Sequence, residues 1–216
     1  MIRDLNLKAR WEDTWERLRA GFAPQDVFDK LIKAYSAPER FFHSLYHIQD
    51  CLSVFDLARS AAIHPEVVEL GIWFHDAVYD TRRSDNEEKS AAWAASVVIQ
   101  AGLDAEIAKR VSRSILATRH NQEVTDMDAR MLVDVDLSIL GREPDLFWTY
   151  EENIRKEYAW VTEDLFKRER IKILRRFLER PYIYTYGKYR ELFEGQARVN
   201  LGQAIAKLSD TTSPAR

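Results

Sequence analysis

The chain is expected to be all-α, and three observations carry that expectation. Apolar residues recur at spacings of three and four through most of the 216 residues, which is the period of one helix face. Seven Gly and six Pro fall well short of the roughly 7% and 5% of average chains, leaving little turn material for many strands. No run alternates with period two for long enough to form a strand, although Pro181 to Tyr186 is aromatic and irregular. With 46% of its residues apolar, the chain can build one substantial core. A single bundle-like domain of about nine or ten helices is predicted over residues 1–208, followed by a frayed polar tail, 209–216.

Leu5, Trp11, Trp15 and Leu18 mark a first amphipathic helix, and Val27, Phe28, Leu31, Ile32 and Tyr35 a second. A third is expected from about Arg40 to Arg59. Pro65, at a first helical position, opens a fourth that reaches the Ala77 region. Ser84-Asp85-Asn86-Glu87 has the spacing of a capping box before an Ala-rich helix to about Gln100. Gly102 stops that helix and Asp104 starts the next, which ends near Thr118. A polar stretch, His120 to Asp128, precedes an apolar segment from Met131 to Leu140 that Gly141 closes. Pro144 starts a helix to about Trp160, Thr162 caps a long one to Arg180, and a last helix covers Tyr189 to Leu208. Arg198 and Asn200 in that helix read as packing residues.

Composition removes several functional classes. A single cysteine, Cys51, forms no internal disulfide, and Met1-Ile2-Arg3-Asp4 opens no signal segment, so a soluble protein in a reducing cytoplasmic setting is expected. A formal charge of −3 gives no electrostatic footprint for nucleic acid. The apolar stretches are broken within about ten residues, far short of the roughly 20 that span a bilayer. Neither nucleic acid nor membrane is therefore expected as a partner.

The chemistry lies in a few His and Asp residues. Gly71 to Tyr79 is apolar on every side of a helix except at His75 and Asp76. A carboxylate in such a setting is costly unless it is paired, hydrogen-bonded or bound to a cation. His43 and His47 are four apart, so on a helix they share a face. If the third and fourth helices pack side by side, His47, His75 and Asp76 meet. A fourth group must come from Asp134 or Asp136, which are about 200° apart on a helix and so do not readily face one centre together.

His47, the His75-Asp76 doublet and an Asp in an Asp-Leu-Ser context resemble the four-ligand pattern of the HD-domain metal-dependent phosphohydrolases, an all-α superfamily. His43-Ser44-Leu45-Tyr46-His47 is similar to the His-Asn-x-x-His of the cyclic-nucleotide phosphodiesterases. The wider run, with Tyr-His-Ile, Trp-Phe-His-Asp-Ala-Val-Tyr, Asp-Asn-Glu and Asp-Leu-Ser-Ile-Leu-Gly, looks like a bacterial HD subfamily described only as predicted phosphohydrolases. The likeness spans about residues 35 to 205. It implies an HD-type bundle and favours Asp136 over Asp134 as the last ligand. Ser44 departs from the phosphodiesterase Asn. Only His120 lies where dinuclear members carry two further His, which points to one metal ion.

The expected site then follows. His47, His75, Asp76 and Asp136 would hold one divalent transition metal ion: Mn, Fe, Co, Ni or Zn. His43 would give a proton to the leaving oxygen or bond a neighbouring carboxylate. Asp80 and Glu87 would orient water, or serve respectively as a helix-end residue and a capping-box member. Arg40, Arg82, Arg83, Arg119 and His120 are candidate phosphate contacts, with Arg40 and His120 foremost. Tyr46, Trp73 and Tyr79 are expected in the core, with base stacking as the alternative. The expected activity is hydrolysis of a phosphomonoester or phosphodiester of a small metabolite, nucleotide-like or otherwise. The alternative is a catalytically degenerate HD domain that senses a ligand or supports a structure.

Overall fold

A computed structural model describes residues 6–120 and 124–210. Among these are ten α-helices, two short 3₁₀ segments and no strand. The helices are α1 (Leu7–Arg17), α2 (Gln25–Tyr35), α3 (Leu45–Asp56), α4 (Pro65–Phe74), α5 (Asn86–Gln100), α6 (Ala105–Ala117), α7 (Met127–Asp136), α8 (Pro144–Glu157), α9 (Glu163–Leu178) and α10 (Gly187–Asp210), with 3₁₀ segments at Arg59–Ala61 and Leu137–Gly141. The all-α expectation holds. No helix among the described residues is long and apolar enough to cross a membrane. The chain divides into two compact units, one ending at Asp136 and the other beginning at Leu137.

In the first unit α4 is the central element. Every residue from Val67 to Phe74 is buried, as expected of a helix that is apolar around its whole circumference, and it packs against α1, α3, α5, α6 and α7. Trp11 and Trp15 of α1 lie edge-on to each other, and Trp11 lies edge-on to Trp73 of α4 at 5.5 Å between ring centroids. The one charge in that buried run, Glu69, accepts hydrogen bonds from Arg10 Nε at 2.7 Å, Thr14 Oγ1 at 2.9 Å and Arg59 Nη1. Arg10 continues as a fork onto Asp56. Asp128, in the first turn of α7, accepts the backbone N–H groups of Ile63 and His64 at 2.8 and 2.9 Å, fixing the entry to α4.

In the second unit α10 packs against α9 and the 3₁₀ segment Leu137–Gly141. A Cβ on Gly141 would stand 2.6 Å from the backbone oxygen of Phe193, so only a glycine permits this approach. Asn200 and Arg198 do more than pack. Asn200 donates to the carbonyls of Leu140 and Arg142 at 2.9 and 2.8 Å. Arg198 donates to those of Leu178, Arg180 and Pro181, closing the end of α9, where the last carbonyls have no intrahelical partner.

Several boundaries differ from expectation for local reasons. α3 begins at Leu45 because Ser44 is extended, at φ −110° and ψ 178°, so residues 40–44 form a turn and His43 is not on the helix. α4 ends at Phe74 with His75 as its C-cap. The capping box at Ser84 does not form: α5 starts at Asn86, and the carboxylate of its N-cap Asp85 pairs with Arg83 and Lys89 instead. α7 starts at Met127, four residues ahead of Met131. α8 and α9 stop at Glu157 and Leu178. Ser209 and Asp210 are helical, while 211–216, the rest of the expected frayed tail, lie outside the described residues, as does Leu5. Gly102, at φ +78°, ends α5 as expected, and Asp104 caps α6 by accepting the Glu106 N–H at 2.7 Å.

Candidate metal centre

Three helix segments of the first unit bring four side chains to one point. His47 lies in the first turn of α3, His75 and Asp76 follow the last turn of α4, and Asp136 ends α7. The His47 and His75 Nε2 atoms are 3.2 Å apart. Asp136 Oδ1 lies 3.2 Å from the first and 3.6 Å from the second, and Asp76 Oδ2 lies 3.8 and 3.1 Å from them. His47, His75 and Asp136 each offer one atom with all three inside 4.8 Å of one another. Ligand bonds of about 2.1 Å, as for N and O donors, require neighbouring donors about 3.0 Å apart in an octahedron and about 3.4 Å apart in a tetrahedron. The separations among His47, His75 and Asp136, 3.2 to 3.6 Å, lie within a few tenths of an ångström of that range, so these three could hold a divalent ion.

The ring orientations agree. His75 lies 2.9 Å through Nδ1 from the carbonyl of Ile72, an acceptor only, so Nδ1 carries a proton and it is Nε2 that faces the cluster, where a bound cation would displace the second ring proton. His47 is held by the Phe42 ring at 4.6 Å between centroids and by Cys51 Sγ, 3.7 Å from both of its ring nitrogens. Both histidines are buried, whereas the Asp76 and Asp136 side chains keep 18% and 17% of their exposure. Solvent therefore reaches the centre on its carboxylate side.

The charges are strongly coupled. Burial raises the pKa of Asp76, but the His75 and His43 imidazoles outweigh it and hold the carboxyl below the usual 3.8. Burial likewise opposes ionisation of Asp136, and hydrogen bonds from His120, His47 and His75 hold it well below the same value. Burial pulls His75 down, but Asp76 and Asp136 hold it well above 6.5. Two carboxylates are thus kept ionised in a largely buried site, the electrostatic condition that a cation satisfies.

The other expected residues are distributed as follows. Asp134, two positions before Asp136, is fully buried; Asp136 is the one that joins the cluster. His43 stacks on Tyr79 at 4.2 Å, and its ring centre is 6.1 Å from that of His47, so the loop restores the proximity that a shared helix face was expected to provide. His120 meets Asp136 Oδ2 at 3.2 Å, placing it behind a cluster carboxylate rather than at an open phosphate site. Arg40 is only 9% exposed and donates to the carbonyls of His43, Asp76 and Ala77. It clamps the end of α4. Asp80 is exposed and its Oδ1 accepts the Arg82 N–H at 2.9 Å, a turn role. Glu87 lies in the first turn of α5, 4.0 Å from Arg119. Arg119 itself is held by Glu88 and the Ser84 carbonyl, and Arg83 by Asp85.

Trp73 is in the core as expected, but Tyr46 is 52% exposed and Tyr79 forms the platform for His43. Cys51 was legible only as an excluded disulfide, although its position four residues after His47 on α3 already placed it on the same face. No family model matches this chain, and no curated protein or solved structure matches it significantly.

Proposed function

We propose that the chain is a metal-dependent phosphohydrolase of the HD type, holding one divalent transition metal ion through His47, His75, Asp76 and Asp136 and acting on a small phosphorylated metabolite. The observation that carries this reading is the pair of imidazole nitrogens 3.2 Å apart, with Asp136 Oδ1 at 3.2 and 3.6 Å from them and Asp76 Oδ2 at 3.8 and 3.1 Å. The chemistry such an ion supplies is Lewis-acid activation, polarising a phosphoryl oxygen and bringing the pKa of a coordinated water toward about 7. Imidazole and carboxylate donors without thiolate suit Mn, Fe, Co, Ni or Zn.

The protein groups set the stage around that chemistry. His75, anchored through Nδ1, cannot rotate away without losing the Ile72 bond. His43 lies beside the cluster on the Tyr79 platform and donates the proton to the leaving oxygen, a role worth about 10²- to 10⁴-fold. Arg40, by binding the Asp76 and Ala77 carbonyls, keeps the backbone that carries Asp76 in place.

The test is metal analysis of the purified chain, followed by a screen of phosphorylated metabolites with Mn²⁺, Co²⁺ or Ni²⁺. Asp76→Ala is expected to lose bound metal and phosphatase activity together, and retention of both would overturn the proposal. A second reading, a metal-holding sensor without turnover, is favoured by the structural employment of Arg40, Asp80 and Glu87. Bound metal with no turnover across the screen supports that one.

A further inference from the structure

We propose that His120 is the positioning residue of this centre: it holds one oxygen of Asp136 from behind, so that the carboxylate presents a single oxygen to His47 and His75. The inference rests on the metal reading above and adds to it how the last ligand is oriented.

Asp136 is used in two directions. Its Oδ1 faces the imidazoles of His47 and His75 at 3.2 and 3.6 Å, while its Oδ2 lies 3.2 Å from His120 Nε2. An ionised carboxylate only accepts hydrogen bonds, so Nε2 of His120 carries the proton and donates. The terminal torsion of an aspartate is broad and roughly two-fold. Without a donor on the far side, the group is free to swing until both oxygens face the cluster.

The backbone around His120 is built for the contact. α6 ends at Ala117, and Thr118 closes its last turn by donating Oγ1 to the Ile115 carbonyl at 2.7 Å. The His120 N–H then bonds the Ala117 carbonyl at 3.2 Å, and His120 adopts φ +55°, in the left-handed region that glycine enters without penalty. This turn aims the imidazole at the end of α7. A side chain thus stands where glycine would be least strained, and that side chain meets Asp136. Outer hydrogen-bond partners of metal ligands characteristically set affinity by about 10- to 100-fold.

The experiment uses the full chain stripped of metal and titrated with Mn²⁺ by calorimetry and with Co²⁺ by visible absorption. His120→Ala is expected to bind one ion about 10- to 100-fold more weakly, with a Co²⁺ band altered by the second carboxylate oxygen. His120→Gln, whose amide nitrogen reaches about as far as Nε2, is expected to recover much of the affinity and the wild-type band. His120→Gly, which relaxes the backbone but removes the donor, is expected to keep or raise the melting temperature while binding weakly, a separation that a merely structural role does not produce. Equal affinity and an unchanged Co²⁺ spectrum in all three variants overturn the positioning role and leave the metal centre standing. A fall from two bound ions to one in His120→Ala overturns it differently, by making His120 a ligand. A wild-type chain that binds neither ion overturns the metal reading itself.

Discussion

Asp76, Asp136 and His75 bind protons differently in the folded and unfolded chain, so the cluster ties stability to pH. Both carboxyls are held below 3.8 in the fold despite burial. Their contribution is complete above that unfolded value and is lost as pH falls from 3.8 through the folded value. His75 runs the other way: held well above 6.5, it contributes fully below 6.5 and loses that contribution as pH rises through its folded value. Urea unfolding of the metal-free chain is therefore expected to show a midpoint that drops in acid below pH 3.8 and also declines on the alkaline side of 6.5. Asp136→Asn, which removes one carboxylate and one partner of His75, is expected to flatten both arms. A variant profile with the wild-type slopes refutes the coupling.

Between elements, the charge network on Glu69 fastens α1, α3 and the Arg59–Ala61 turn to the buried α4. Glu69 is 1% exposed and accepts from Arg10, Thr14 and Arg59, while the Arg10 and Arg59 side chains are only 12% and 20% exposed. Glu69→Ala removes the buried acceptor shared by Arg10, Thr14 and Arg59, leaving Arg10 to Asp56 and Arg59 to Glu66. Leaving buried donors such as Thr14 Oγ1 and Arg10 Nε without this acceptor costs about 1–3 kcal/mol, read as a lower urea midpoint. Glu69→Gln, which keeps an acceptor but not the charge, is expected to fall between. A loss below about 1 kcal/mol in the alanine variant would place the network in the class of exposed ion pairs.

For the molecule as a whole, the proposed ion joins α3, the end of α4 and the end of α7. Anything that binds the folded but not the unfolded chain stabilises it, by about 2.7 kcal/mol at one hundred times the dissociation constant. Adding Mn²⁺ or Co²⁺ to stripped protein is accordingly expected to raise the melting temperature and to slow amide exchange in α3, α4 and α7. No shift with either ion counts against the centre. The helices were legible because periodicity, proline starts and glycine stops are local: Pro65, Gly102, Asp104 and Pro144 each act within a few residues. The His75-Asp76 doublet was legible for a related reason, because charge inside an apolar run demands a partner, and Glu69 carried the same signal unread. Other features depend on groups far away in sequence. Arg40 clamps the carbonyls of Asp76 and Ala77, which the fold brings within its reach. Glu87 lies 4.0 Å from Arg119, 32 positions along the chain, whereas Asp80 takes a local partner in the Arg82 N–H. The sequence by itself determined the helical class and the residue types able to gather around a cation. The Asp-Leu-Ser likeness favoured Asp136 over Asp134, but only the tertiary structure sets Asp136 against the two histidines with His120 behind it, because two positions on one helix differ by about 200° and the packing of α7 against α3 and α4 selects between them.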